Sequence, residues 1–209
     1  MFILNPYRHG AVFANAYSVD FDGVDEYIEF GHDGAFNFGD GSTDSAVSFS
    51  AWVKMDDATS FVIIVNGKFA TDGQYEFTTD TADKLHVAFI DESINKYIGR
   101  KYDTALTSDQ GSWIHLAFTY SGNSLSTGVK LYRNAVQVDD ANFQSGSYVA
   151  MEALSSNTRI GFGTYSGLYA NGKIDESALW NKELSSSEIS DIYNSGTPPD
   201  LSLHSAVSN

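Results

Sequence analysis

Two acids on one strand face are the first candidates for chemistry in this chain. In Asp25-Glu26-Tyr27-Ile28-Glu29, the densest acidic stretch, Asp25 and Glu29 point the same way on an extended backbone. At ~3.3 Å per residue they stand ~13 Å apart. Retaining glycosidases need about 5–5.5 Å between carboxyl groups and inverting ones about 6.5–9.5 Å. A carboxylate from elsewhere would have to complete a pair, so a glycoside hydrolase is an outside reading. Nucleophilic chemistry has less support. Cysteine is absent, which removes thiolate nucleophiles, thiolate metal sites and disulfides. No Gly-x-Ser-x-Gly elbow occurs. His9, His32, His86, His115 and His204 are scattered, with no His-x-x-x-His or His-Glu-x-x-His spacing for zinc. His115, close to Trp113, reads as a packing or hydrogen-bonding residue. The chain reads as a non-enzyme.

Binding chemistry is better represented. Sugar recognition uses exposed aromatic faces with polar neighbours. Two segments offer them: Asn95-Lys96-Tyr97-Ile98-Gly99-Arg100-Lys101-Tyr102 and Gly163-Thr164-Tyr165-Ser166-Gly167-Leu168-Tyr169. Tyr97, Arg100 and Tyr165 are the candidate ligand-binding residues, against a plain structural role for each tyrosine. The loop from Asp33 to Asp44 is rich in oxygen but lacks EF-hand spacing, and reads as plain turns.

Charge narrows the partners. The chain carries 27 acidic and 12 basic side chains, a formal charge of −15, so phosphate backbones and anionic lipid surfaces are repelled. No run approaches the roughly 18 apolar residues of a membrane span. No nucleic acid partner and no membrane insertion are expected. The acidic surface has a plain solubilising role, or a subset of its Asp residues binds a cation.

The elements that position these residues are mostly short strands. In order they are Tyr17–Asp22, Tyr27–Phe30, Ala46–Lys54, Phe61–Val65, Gln74–Thr79, Lys84–Ile90, Asn95–Tyr102, Ser112–Tyr120, Val129–Arg133, Thr158–Phe162 and Lys173–Trp180, separated by turn signals such as Asn66-Gly67. Leu85, Val87 and Phe89 alternate at period two, and Phe61–Val65 is apolar throughout, as a strand covered on both faces would be. Only residues 185–194 read as helix. Ser185 and Glu188 have capping-box spacing, Leu184 and Ile189 form a hydrophobic staple, and Ile189, Ile192 and Tyr193 make one stripe. Gly196 stands where a left-handed C-terminal residue is wanted. One domain of 209 residues with 42% hydrophobic content has enough material for its own core.

Five segments together resemble the laminin G-like, concanavalin A-like jelly-roll family of lectins and glucanases, in the family's order over roughly residues 17–196. They are Tyr17 to Ile28, Val47 to Lys54, Ser112 to Tyr120, Val129 to Asn134 and Gly172 to Ser185. The resemblance implies an all-β, two-sheet antiparallel jelly-roll sandwich with one short C-terminal helix, preceded by an N-terminal arm (1–16) and followed by an extended tail (197–209). It also implies that Trp52, Trp113 and Trp180, which sit within its strand motifs, lie in the core or half in it and are not ligand platforms, and that a structural calcium ion sits near the termini. Asp22 and Asp175 match the family's two Asp positions, and pairing of the first and last strands would bring them close. The alternative is an Asx turn over Gly23 and a loop cap at Asp175.

One fold hosts many functions. The expected function is a non-catalytic surface binding or adhesion module for carbohydrate or another cell-surface polymer. Its expected setting is a phage virion surface, as a capsid decoration or tail-associated protein, with residues 1–16 docking on a virion scaffold protein. Homo-oligomerisation is left open. Residues 1–10 have an apolar run of three before Asn5-Pro6, and Arg8 follows it, which is not the order of a secretory leader. The alternative is a secreted, extracellular bacterial carbohydrate-binding module whose leader has been removed.

Overall fold

Alternating small, apolar and polar side chains in a chain with 18 glycines and only 3 prolines favour many strands joined by tight turns. The computed structural model describes residues 2–3, 17–163 and 167–201. Its strands are β1 (Phe2–Ile3), β2 (Val19–Asp22), β3 (Ile28–Phe30), β4 (Val47–Asp57), β5 (Val62–Asn66), β6 (Tyr75–Thr79), β7 (Lys84–Asp91) and β8 (Lys96–Ala105). They continue as β9 (Ile114–Tyr120), β10 (Val129–Arg133), β11 (Val136–Gln137), β12 (Ala141–Asn142), β13 (Thr158–Ile160), β14 (Phe162–Gly163), β15 (Leu168–Tyr169) and β16 (Asn171–Trp180). One α-helix, α1 (Ser186–Tyr193), follows.

Two large antiparallel sheets form a jelly-roll sandwich. Sheet A runs β1-β16-β4-β9-β10-β11, with β2 also on β16; sheet B runs β12-β8-β7-β6-β5-β13-β3. β14 and β15 make a separate hairpin. β16 has β4 on one side, while β2 and β1 share its other side, at residues 171–174 and 178–179. Phe2 and Ile3, at the start of the expected arm, thus extend the module's own sheet, where a free edge offers unpaired backbone groups.

The core lies between the sheets. Phe49, Ala51, Val53 and Met55 of β4 face Leu85, Val87 and Phe89 of β7, and all seven are essentially inaccessible. Phe118 stacks on Phe49 at 6.1 Å and meets Phe77 edge-on at 5.3 Å. Asp44 closes one end of the sandwich: its carboxylate accepts from the Tyr120 and Tyr148 hydroxyls and from Met151 N. Burial raises its pKa against those hydrogen bonds.

The helix is capped as its spacing predicts. Ser185 Oγ accepts from Glu188 N at 3.2 Å, and Ser185 N donates to Glu188 Oε2 at 2.8 Å. Leu184, Ile189 and Ile192 are buried with Trp180 in a second cluster on the outer face of sheet A. The left-handed C-cap is Asn194, two residues before Gly196. A further difference concerns the expected strand Thr158–Phe162, which breaks at Gly161. There φ is +85°, and an added Cβ would lie 2.6 Å from the Phe21 ring.

Candidate functional site

Period-two alternation puts one set of sheet B side chains into the core and the other on its outer face. The register aligns Val65, Glu76, Ala88 and Gly99 in one row across β5, β6, β7 and β8. The next row is Val62, Thr78, His86 and Lys101. Ala88 and Gly99 are small, and the backbones close in at Gly99, where a Cβ would lie 1.8 Å from the Val87 carbonyl oxygen. The floor between these rows is therefore low, and larger side chains rise around it.

Those walls are aromatic. Tyr97 meets Phe143 at 5.0 Å and Phe69 edge-on at 5.9 Å, and all three rings are half-buried. Phe69 comes from the turn after β5 and Phe143 from the segment after β12. The rings enclose a recess of about 170 Å³ with Glu76 and Ala88. It adjoins a groove of about 450 Å³ that shares Phe69 and Glu76 and continues past Thr78, His86 and Asn66 to Leu168 of the β14–β15 hairpin.

The polar groups are fixed in place. His86 Nε2 lies 3.2 Å from Thr78 Oγ1 and 3.3 Å from Glu76 Oε1, and its ring packs on Phe143 at 4.5 Å. Its Nδ1 has no partner among the described residues. The groove thus combines aromatic faces with a carboxylate, an imidazole and a hydroxyl, which suits a ligand with apolar C–H faces and hydroxyl edges. Its carboxylates, Glu76 and Asp80, stand four positions apart, ~13 Å along the strand, outside the spacing of glycosidase pairs.

Of the sequence-predicted ligand residues, Tyr97 lies in this site. Arg100 does not. It is opposite Val87, whose side chain points into the core, so it faces inward near the sheet edge. There its guanidinium holds Asp139 Oδ2 at 3.0 Å and bonds Asn142 Oδ1. Arg100 fastens the chain after β11 to the sandwich. Tyr165 lies outside the described residues. Phe69 and Phe143 were missed because they lie outside the two Tyr-rich segments and only the tertiary fold brings them beside Tyr97.

The expected calcium ligands are not brought together. Asp22 is opposite Asn171, and Asp175 is four positions further along β16, ~13 Å away. Asp22 Oδ1 accepts from Val24 N at 2.8 Å, an Asx turn over Gly23, and Asp175 Oδ1 accepts from Glu176 N at 2.8 Å. The pair does not fit a shared calcium ion. Among the described residues no group of three or more Asp, Glu or His is placed to hold a metal.

Other titratable groups are structural. His115 is fully buried beside Trp52, and burial pushes its pKa down to about 3, so it packs as a neutral ring. Glu176 sits in a bulge of β16 with φ +44° and is 3% exposed. Burial first, then the Asp175 and Asp200 charges, push its carboxyl up to about 8. Trp52 and Trp180 are buried as expected, but Trp113 is 40% exposed, contrary to its expected place in or half in the core. The covering cluster from α1 ends short of it.

Solved structures share this architecture. A heptameric pentraxin of Limulus polyphemus superposes with a TM-score of 0.52 at 16% identity, over 84% of this chain and 81% of that one. The binding domain of botulinum neurotoxin serotype G gives 0.58 at 12%, over 83% of this chain and 41% of the toxin domain. Domain 4 of an extracellular arabinanase of Geobacillus stearothermophilus, solved with arabinotriose, gives 0.50 at 20%, over 74% and 69%. At these identities the likeness shows the fold. No curated protein matches the chain. The family model of the concanavalin A-like lectin/glucanases superfamily, of laminin G type, matches residues 22–190, most of the sandwich including β16 and the start of α1. The chain belongs to the concanavalin A-like lectin/glucanase superfamily.

Proposed function

We propose that the chain is a non-catalytic binding module that holds a carbohydrate in the groove on the outer face of sheet B. The observation that carries this reading is the ring of Phe69, Tyr97 and Phe143 around Glu76 over a floor lowered by Ala88 and Gly99. A sugar ring would lay its C–H face on an aromatic wall and turn its hydroxyls to Glu76 and His86. The arabinotriose complex of the similarly folded arabinanase domain supports the ligand class. Titration calorimetry against neutral oligosaccharides of several linkages tests it. At least one should bind, and Phe143→Ala and Glu76→Gln should each weaken it at least tenfold. Absence of binding, or binding untouched by both substitutions, would refute the reading.

The setting we propose is a virion surface, reached through residues 1–16. Phe2, Ile3, Leu4, Tyr7 and Phe13 are five large apolar side chains in that stretch, more than a free terminus needs. Because Phe2 and Ile3 pair with β16, the contact with a scaffold falls to residues 4–16. Removing residues 1–16 should leave a folded module that no longer co-purifies with particles. Retained attachment would refute docking through residues 1–16, and absence of the full-length protein from purified particles would favour the secreted, extracellular module instead.

A further inference from the structure

The outer face of sheet A carries a second pocket, apart from the groove on sheet B. Where the cover from α1 stops, β16, β4, the residues just before β2 and β9 and the segment after α1 leave a pocket of about 350 Å³. Its floor is Trp52, 4% exposed and stacked on Tyr193 at 5.6 Å. Its rim carries Trp113 and Tyr17, 40% and 62% exposed. Exposing rings of this size forgoes burial that the core rewards.

The charges around this aromatic ledge follow from the register. Asp20, Lys173 and Lys54 stand directly opposite one another on β2, β16 and β4. Ile114 is opposite Val53, so Trp113 comes next to Lys54 in the same row. Like charges directly opposite each other on neighbouring strands are unfavourable. Asp20 neutralises Lys173 through an ion pair. Lys54 has no ion-pair partner among the described residues, although the chain as a whole is strongly acidic. Asp175 lies on the same face beside Trp52, and its Oδ1 accepts from Glu176 N.

We propose that this pocket binds a saccharide ring bearing a carboxylate, such as a hexuronate unit. The ring's C–H face would rest on Trp113 and the carboxylate would meet Lys54. The pocket volume lies in the range of small-ligand sites, about 300–1,000 Å³. The net negative charge of the chain does not prevent this at physiological ionic strength. Screening there acts over about 8 Å, so the charges lining the pocket decide.

The test is titration of the intact protein with a hexuronate oligosaccharide, followed by calorimetry and by tryptophan fluorescence. Binding should perturb the fluorescence. Trp113→Ala should weaken it at least tenfold. Lys54→Gln should weaken hexuronate binding and relieve the preference over the matched neutral oligosaccharide. Phe143→Ala, on the other sheet, should leave it unchanged, which separates failure here from failure of the groove. Because both substituted side chains are at least partly exposed, melting curves are expected to match the wild type and serve as the folding control. The proposal is overturned by no hexuronate binding, by binding that survives both Trp113→Ala and Lys54→Gln, or by loss of binding in Phe143→Ala alone.

Discussion

Tyr97 and Arg100, three positions apart on β8, face opposite sides of sheet B: Tyr97 is opposite Ile90 on the outer face, and Arg100 is opposite Val87 on the inner one. The odd spacing forces this, since successive side chains of a strand alternate. Substitution should separate the two roles. Tyr97→Ala should weaken oligosaccharide binding with little change in melting temperature. Arg100→Ala should leave binding intact and cost about 1.5–3 kcal/mol, the usual worth of hydrogen bonds to a charged group. Denaturant melts and calorimetry on both variants check this; equal loss of binding in both would contradict it.

Asp22 and Asp175 should behave as independent residues. Substitutions well beyond 7–10 Å apart add within about 0.3–0.5 kcal/mol. Asp22→Asn and Asp175→Asn should therefore give additive shifts in stability, the same in calcium as in chelator. A coupling that appears only with calcium would show that one ion links them.

The helix should stand on its cap and on Trp180. Ser185→Ala should cost about 0.5–2 kcal/mol by freeing the Glu188 N–H. Trp180→Ala should cost about 3–5 kcal/mol, because the ring is 2% exposed beneath Leu184 and Ile189. Glu188 adds a pH signature. Its hydrogen bonds to Lys182 first, then to Ser185, lower its pKa from 4.5 to about 2. Its contribution is present above pH 4.5 and is lost as pH falls towards 2, and Glu188→Gln should remove that acid-limb dependence in urea melts.

Glu176 should act in the opposite direction. Its carboxyl titrates near 4.5 when unfolded and at about 8 when folded. The folded state therefore holds the extra proton, and the contribution of Glu176 to stability is greatest below 4.5 and declines as pH rises through 8. The slope reaches ~1.4 kcal/mol per pH unit between these limits. Glu176→Gln keeps the neutral shape and should flatten the difference in melting temperature between pH 5.5 and pH 9. A difference equal to that of the wild type would show that Glu176 is already ionised in the fold.

Local pattern made much of this protein legible. Leu85, Val87 and Phe89 alternate within one strand, and Ser185 with Glu188 closes a cap within one turn, so neither needs the rest of the chain to be recognised. Even the division of Tyr97 from Arg100 lay in their spacing. What lay beyond the sequence was register and cover. Pairing β2 with β16 was expected, but only the register sets Asp22 against Asn171 and leaves Asp175 four residues away. Phe69 and Phe143 are distant in sequence and meet Tyr97 only because loops from two strands close over β8. Trp113 stands in a strand motif of the sequence as Trp52 and Trp180 do, yet it falls just before β9 and stays exposed, because α1 and its neighbours cover the other two and stop before it. A strand's alternation is fixed by bonds between neighbours, whereas register and the covering of a face are fixed by contacts between residues far apart in the chain, and those exist only once the sandwich has closed.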